Sequence, residues 1–341
     1  MTDAKHHIPT VSVGMPVYNG ERHIRQALDS LLAQDFEDFE LIISDNASTD
    51  GTQEICLEYA TRDSRIRYYR NYVNMGMTWN FNRVFELATG EFFMWAAHDD
   101  YRDHRYIRLC LEAFGIAENI VLSGSRYEFI AHETEEAIYT NYGFSTIGLS
   151  AVEKLKFIAC LSNNIAGIFY GIYKKSALRK LMPLKQVFAG DILLLAELSL
   201  YGDFITIPEV LMFERSGGSS ANMVRYMAEI KGTSLCRGDP HFDHLLNIQE
   251  IIFRTDKLSL IEKIRLALYT IGDYCHLIAL RIVGWIYRRL LVIWPSAALR
   301  IRELWYKVAI ERKRSVNRGI KNRRQGDKSS SGGPDTFGSY T

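Results

Sequence analysis

No two of the five cysteines form a CxxC pair, and positions 56, 110, 160, 236 and 275 follow no metal-ligand spacing. That excludes a disulfide framework and a structural zinc site, and leaves small core-type residues suited to a reducing compartment. Phosphate-cradling glycine loops are missing too. There is no GxGxxG after the first apolar run and no GxxxxGKS or GxxxxGKT anywhere, which argues against dinucleotide oxidoreductases and P-loop NTPases. The GxSxG elbow of the α/β-hydrolases is absent. Net charge is only +1 over 341 residues, so no global field points to nucleic acid. The opening MTDAKHHIPT has no apolar h-region, and secretion is not expected. In the last third, Asp273, Arg281, Arg288 and Arg289 break every apolar run well short of the ~18–20 residues of a membrane span.

What is there suits a globular chain of one large or two modest domains, 47% apolar and 24% charged. Residues 10–18, TVSVGMPVY, read as a strand that stops around Pro16. Residues 21–34 place Ile24, Leu28, Leu31 and Leu32 at helical spacing. FELIISD is a second buried strand ending at Asp45, and Asp50 suits the N-cap of the helix after it, with Gln53 three residues on. IRYYRN reads as a third strand. Residues 74–90 read as a loop and a helix closed by Gly90. This alternation predicts an α/β domain with a mostly parallel sheet.

The stretch EFFMWAAHDDYRDH follows. A buried strand here ends in two adjacent carboxylates, Asp99 and Asp100. Neighbouring carboxylates repel, and a divalent cation with its preference for oxygen ligands relieves that repulsion. A polar turn that merely ends the strand is the plainer reading. In parallel α/β sheets, ligands sit beyond the carboxyl ends of the strands. Polar residues stand at three such ends: after Pro16, at Asp45 and at Asp99–Asp100. Their convergence on one edge predicts a site.

These residues carry a resemblance. VSVGMPVYNGERHIRQALDSLLAQDFEDFELIISDNASTDGT, residues 11–52, resembles the opening of the family-2 glycosyltransferases, inverting enzymes with the GT-A nucleotide-sugar fold. The likeness is dense to about residue 106, and AGDILLLAELSLYGDFITIPEVLMFERSGGSS resembles the family's base-bearing helix and following strand. It implies an α/β GT-A fold over residues 1–230, with a nucleotide-sugar half to about residue 106 and an acceptor half beyond. It implies that Pro16, Val17, Tyr18, Glu21 and Asp45 hold the nucleoside, with Asn74, Trp79 and Asn82 as site wall. Asp100 and Asp99 become ligands of a Mn²⁺ or Mg²⁺ ion bridging to the diphosphate, lined by His98. Asp191 becomes the general base that takes the acceptor hydroxyl's proton, and Arg215 meets the diphosphate near Ser219 and Ser220. Asn163, Asn164 and Gly167 border the acceptor. Two departures stand out: Ala97 replaces a frequent first acid, and Phe81 replaces an arginine that Arg83, about 100° round the helix from position 82, would have to supply.

The resemblance implies transfer from a nucleotide-diphosphate sugar to a hydroxyl acceptor, a lipid-linked glycan of cell-surface polysaccharide synthesis. Two other classes remain: a nucleotidyltransferase of similar fold, whose glycine-rich loop is missing, and a non-catalytic binder, which would not need Asp45, Asp99, Asp100 and Asp191 together. Residues 231–324 read as helical, aromatic and basic, with seven Lys or Arg in residues 312–324 and Trp285, Trp294 and Trp305 before them. That suits a cytoplasmic protein peripheral at the inner face of a membrane; packing on a second subunit is the alternative. Residues 325–341 read as a disordered tail.

Overall fold

The computed structural model describes residues 7–159, 166–217 and 239–293, with residue 166 and residues 280–293 by backbone alone. Strands β1 (Val11–Val17) and β2 (Phe39–Asp45) are buried at every position. That burial explains their continuous apolar runs, since a parallel strand covered on both faces needs no polar alternation. They pair in parallel, and the register sets Val17 beside Asp45. On the far side of β2 lies β3 (Ile66–Arg70), and on the far side of β1 lies β4 (Phe92–Trp95), both parallel to their neighbours. The helices between them are α1 (Ile24–Leu32), α2 (Thr52–Arg62) and α3 (Met77–Leu87).

Later strands extend this sheet. After β5 (Tyr101–Arg102) and α4 (Tyr106–Glu112) come the long β6 (Ile120–Ile130), the hairpin strand β7 (Ala137–Asn141) and α5 (Ala151–Ala159). Then follow β8 (Ile172–Lys174), α6 (Lys175–Leu178), α7 (Gly190–Leu198) and β9 (Asp203–Arg215). The order across the sheet is β3-β2-β1-β4-β8-β6-β9-β5, with β7 on β6. Strands β6 and β9 pair in parallel, while β8 runs antiparallel to both its neighbours. The mostly parallel α/β sheet expected from the sequence is therefore present.

Alternate side chains feed two cores. Leu41 and Ile43 pack with Ile24, Leu28 and Leu31 of α1, whereas Ile42 packs with Val84, Phe93 and Trp95 on the other face. Trp95 stacks on Phe169 with ring centroids 4.6 Å apart and donates its indole N–H to the Phe81 carbonyl. Phe81, the residue in place of a charge, packs at 6.0 Å from Phe169 and so belongs to this core's edge. Helix α8 (Pro240–Arg254) adds Ile248, Ile251 and Ile252 to the same core, and the first half of α9 (Leu260–Ile293) adds Leu266. One compact unit runs to Tyr274, and a second begins at Cys275.

Local details differ from the sequence reading. Residues 21–23 form a turn rather than helix, because the Gly20 carbonyl takes both His23 N–H and Ile24 N–H. Gly51, not Asp50, holds the cap position of α2, but Asp50 still accepts from Thr52 N–H and its hydroxyl. Gly90 does not end α3, which stops at Ala88 in extended backbone. Its need for glycine is proximity: a Cβ there would lie 2.8 Å from the Ser12 nitrogen.

Candidate active site

The carboxyl ends of β1, β2 and β4 share one edge because all three strands are parallel. There the loop after β1 is stitched to the loop after β2. Asn19 N–H donates to Ser48 Oγ, Gly20 N–H to Thr52 Oγ1, and Glu21 Oε2 accepts from Gly51 N–H at 3.0 Å. Pro16 and Val17 are buried at the strand end, and Tyr18 is half-buried. Gly20 has no room for a side chain, since a Cβ would meet the His98 ring at 2.7 Å. The first loop is thus held against the end of β4.

Asp45 is fully buried. Its Oδ1 accepts from Ser48 N–H at 2.8 Å, and its Oδ2 takes Tyr68 OH at 2.8 Å and the Arg70 guanidinium. The acid therefore shapes the β2 loop, with Arg70 as its counter-charge. Burial and the Asp45 hydrogen bond push the Tyr68 phenol upward, so it stays a donor. Asn46 organises the next loop: its amide donates to Asn74 Oδ1 and the Gly76 carbonyl and accepts from Asn71 and Met75 N–H. Asn74 is exposed on that loop, and Trp79 is 38% exposed at the start of α3. Asn80, buried, links Ser44 to α3 through Ser44 Oγ and the Ser44 carbonyl. Asn82 stands apart. Both ends of its amide bond the Leu184 backbone, at 3.1 and 2.7 Å, which pins the segment leading to α7.

The acid corner is the second half of the site. Asp100 is 4% exposed, and its Oδ1 accepts from Arg215 N–H at 2.9 Å. Burial, and then the neighbouring Asp99 charge, push the Asp100 carboxyl well above the usual carboxylate range. Arg215 binds the Asp99 carbonyl through Nε at 3.0 Å. Glu214 was not singled out from the sequence, yet burial followed by the charges of Asp99 and Asp191 raises it to about 7. Asp191 lies in the first turn of α7, one residue inside the helix rather than at its cap, and burial raises its carboxyl. The position before that helix, Ala189, is left-handed, with φ 51°. Asp99, Asp100, Glu214 and Asp191 thus share one field, and Tyr170 feels it too, its phenol raised by burial and then by Asp100. Asn163, Asn164, Ser219 and Ser220 lie outside the described residues; Gly167 is buried against the Tyr127 ring.

A hard divalent cation fits this corner. Asp99 and Asp100 offer carboxylate oxygens, and among the described residues neither is in an ion pair. No three His, Cys, Asp or Glu side chains there could hold an ion by themselves. Ions such as Mg²⁺ are commonly held by one or two carboxylates, with substrate phosphate and water completing the shell. A cation would also relieve the repulsion between the two acids.

Comparison with known proteins agrees with this architecture. The model of Glycosyl transferase family 2 matches residues 12–182, half of the chain. "Glycosyltransferase GlyA" of Streptococcus pneumoniae is 28% identical over 145 residues, 42% of this chain and 20% of that protein. "Putative glycosyltransferase EpsE" of Bacillus subtilis is 39% identical over 93 residues, 27% of this chain and 34% of its own. The Campylobacter jejuni "GalNAc(5)-diNAcBac-PP-undecaprenol beta-1,3-glucosyltransferase" is 28% identical over 172 residues, 50% of this chain and 53% of its own. These matches span between a fifth and about half of each relative's length. Among solved structures, S. aureus TarS in complex with UDP-GlcNAc superposes with a TM-score of 0.59 at 19% identity, over 78% of this chain and 72% of that one. That likeness shows the shared fold.

Proposed function

The chain belongs to glycosyl transferase family 2, and from that premise we propose that it transfers a sugar, with inversion, from a nucleoside-diphosphate donor to a hydroxyl of a lipid-linked glycan. The observation that carries the reading is the acid corner. Two carboxylates without ion pairs among the described residues, Asp99 and Asp100, share a field with Asp191, the raised acid at the mouth of α7.

Inverting transfer is an in-line displacement. The acceptor oxygen bonds the anomeric carbon, the bond from that carbon to the phosphate oxygen breaks, and its electron pair leaves with the nucleoside diphosphate. Asp191 takes the hydroxyl proton, a role that suits a carboxyl whose affinity for protons burial has increased. Asp99 and Asp100 would hold Mn²⁺ or Mg²⁺, which supplies positive charge to the departing diphosphate. Pro16, Val17, Tyr18, Glu21, Asp45 and Asn74 form the nucleoside side, largely through the loops that Asp45 and Asn46 set. Asn82 serves it by holding the backbone at Leu184, and the main chain at Arg215 by donating its N–H to Asp100.

The lipid-linked acceptor, and with it a role in polysaccharide assembly, is supported by the C. jejuni relative, whose name carries an undecaprenol-linked glycan. Placement at the inner membrane face is supported by an exposed apolar stripe on α9, Ile261, Ile264, Leu268 and Ile271, the first and third of them 63% and 65% exposed. No helix among the described residues is long and apolar enough to cross a membrane. Trp294, Trp305, the basic residues 312–324 and the tail lie outside the described residues, as does the Trp285 side chain. Thermal stabilisation by a panel of nucleotide sugars, with and without Mn²⁺, tests the reading: at least one donor should stabilise the chain, and more so with the cation. No stabilisation by any member would count against it.

A further inference from the structure

A guanidinium buried as deeply as that of Arg215, 4% exposed, needs a counter-charge. Asp99 and Asp100 adjoin it, yet it forms an ion pair with neither carboxylate. It meets Asp99 through the main-chain carbonyl, and Asp100 only through its own backbone N–H. The cation goes instead to Glu135 Oε1 at 2.8 Å, with the Gln26 amide oxygen as a neutral second acceptor. The Arg215 guanidinium in turn holds the Glu135 carboxyl below its ordinary range.

Glu135 is placed for this by the tip of the β6–β7 hairpin. Its backbone is left-handed, with φ 56°, a conformation that costs a non-glycine residue roughly 1 kcal/mol or more and persists only when its surroundings enforce it. They do so here. Arg22 pairs with Glu133 at 2.6 Å, His23 and Arg22 both meet His132 Nε2, and His132 N–H donates to Ser216 Oγ. The tip is thereby fastened to the first turn before α1 and to the end of β9.

We infer that Glu135 is a positioning residue for the cation site: by taking the Arg215 charge it leaves the Asp99 and Asp100 carboxylates free for a divalent cation. This rests on the reading of that acid pair as the cation site. Without the Glu135 carboxylate, the acids left in that field are Asp99, Asp100 and Glu214, and an arginine paired with either of the first two competes with the metal.

Mn²⁺ titration of the full chain, followed by electron paramagnetic resonance without donor and again with each of a panel of nucleoside diphosphates, tests it. Glu135→Gln keeps a hydrogen-bond acceptor and loses the charge, and its Mn²⁺ Kd should rise at least about tenfold. Glu135→Asp should stay within about threefold of the unaltered chain, and the double variant Glu135→Gln/Arg215→Gln should regain most of the affinity, as coupling between the two positions requires. If Glu135→Gln does not fold, the double variant, which has no buried cation to neutralise, decides the matter by binding Mn²⁺ like the unaltered chain. A folded Glu135→Gln chain with unchanged Kd, or a double variant that binds no better than the single one, overturns the role of Glu135 alone. An unaltered chain that binds no Mn²⁺ even with a nucleoside diphosphate present overturns the cation reading and this inference with it.

Discussion

Asp191, half-buried, and Asp100, buried, both carry raised carboxyls, yet their proposed tasks separate in a kinetic experiment. A base acts on the acceptor proton and not on the nucleotide. Asp191→Asn should therefore keep donor affinity and lose about 10²–10⁴-fold in kcat. A fall in donor binding with turnover preserved would make Asp191 a helix-mouth residue with no chemical role. His244 gives a second prediction, on stability. It is buried in α8, and desolvation lowers its imidazole from 6.5 to about 4. A group that resists protonation when folded contributes fully above the unfolded value and loses that contribution as pH falls from 6.5 towards 4. The loss is about 3 kcal/mol, at ~1.4 kcal/mol per pKa unit. Chemical denaturation at pH 7 and pH 5 should show a smaller drop for His244→Phe than for the unaltered chain; equal drops would contradict the assignment. At this scale the sequence was legible at Asp45, the last residue of β2, but not at Asp99 and Asp100, which lie past the end of β4 at Trp95 and directly before β5. It was silent on Glu214, because an acid beside an arginine near a strand end looks like any solvated pair until β9 sets it by Asp99 and Asp191.

The strands and helices of the first hundred residues were readable because parallel strands covered on both faces declare themselves as uninterrupted apolar runs. The loops between them were not. Asn46 appeared only as one polar residue among several after β2, whereas in the fold its amide fixes the loop that carries Asn74 through four hydrogen bonds. Side-chain to backbone bonds of this kind leave no periodic trace in a sequence. The bond from Asn82 to Leu184 is of the same kind: it spans a hundred residues of chain and cannot be seen from its neighbours. Asn46→Ala should lower stability by about 0.5–1.5 kcal/mol, since the partners it loses at residues 71 to 76 are half-buried or exposed and can turn to water, and should raise KM for the donor more than it lowers kcat. A variant with unchanged melting temperature and KM would show that the loop holds its shape without it.

For the whole molecule, the family match covers residues 12–182, and later strands complete their sheet. The helical region after residue 239 adds both core and an exposed apolar stripe. If that stripe and the basic residues beyond it meet anionic lipid, the full chain should co-sediment with vesicles containing phosphatidylserine at low salt and only partly release in 0.5 M salt, with each basic residue near the surface worth ~1 kcal/mol. A discrete soluble dimer that ignores such vesicles would assign the stripe to a second subunit. The central claim, a cation-assisted transfer centred on Asp100, is tested most directly by nucleoside-diphosphate release from a panel of nucleotide sugars, with Mn²⁺ or with chelator, by the unaltered chain and by Asp100→Asn. The account predicts release from at least one donor by the unaltered chain, only with the cation, and none above background by the variant. Equal release by Asp100→Asn in the presence of chelator would contradict it.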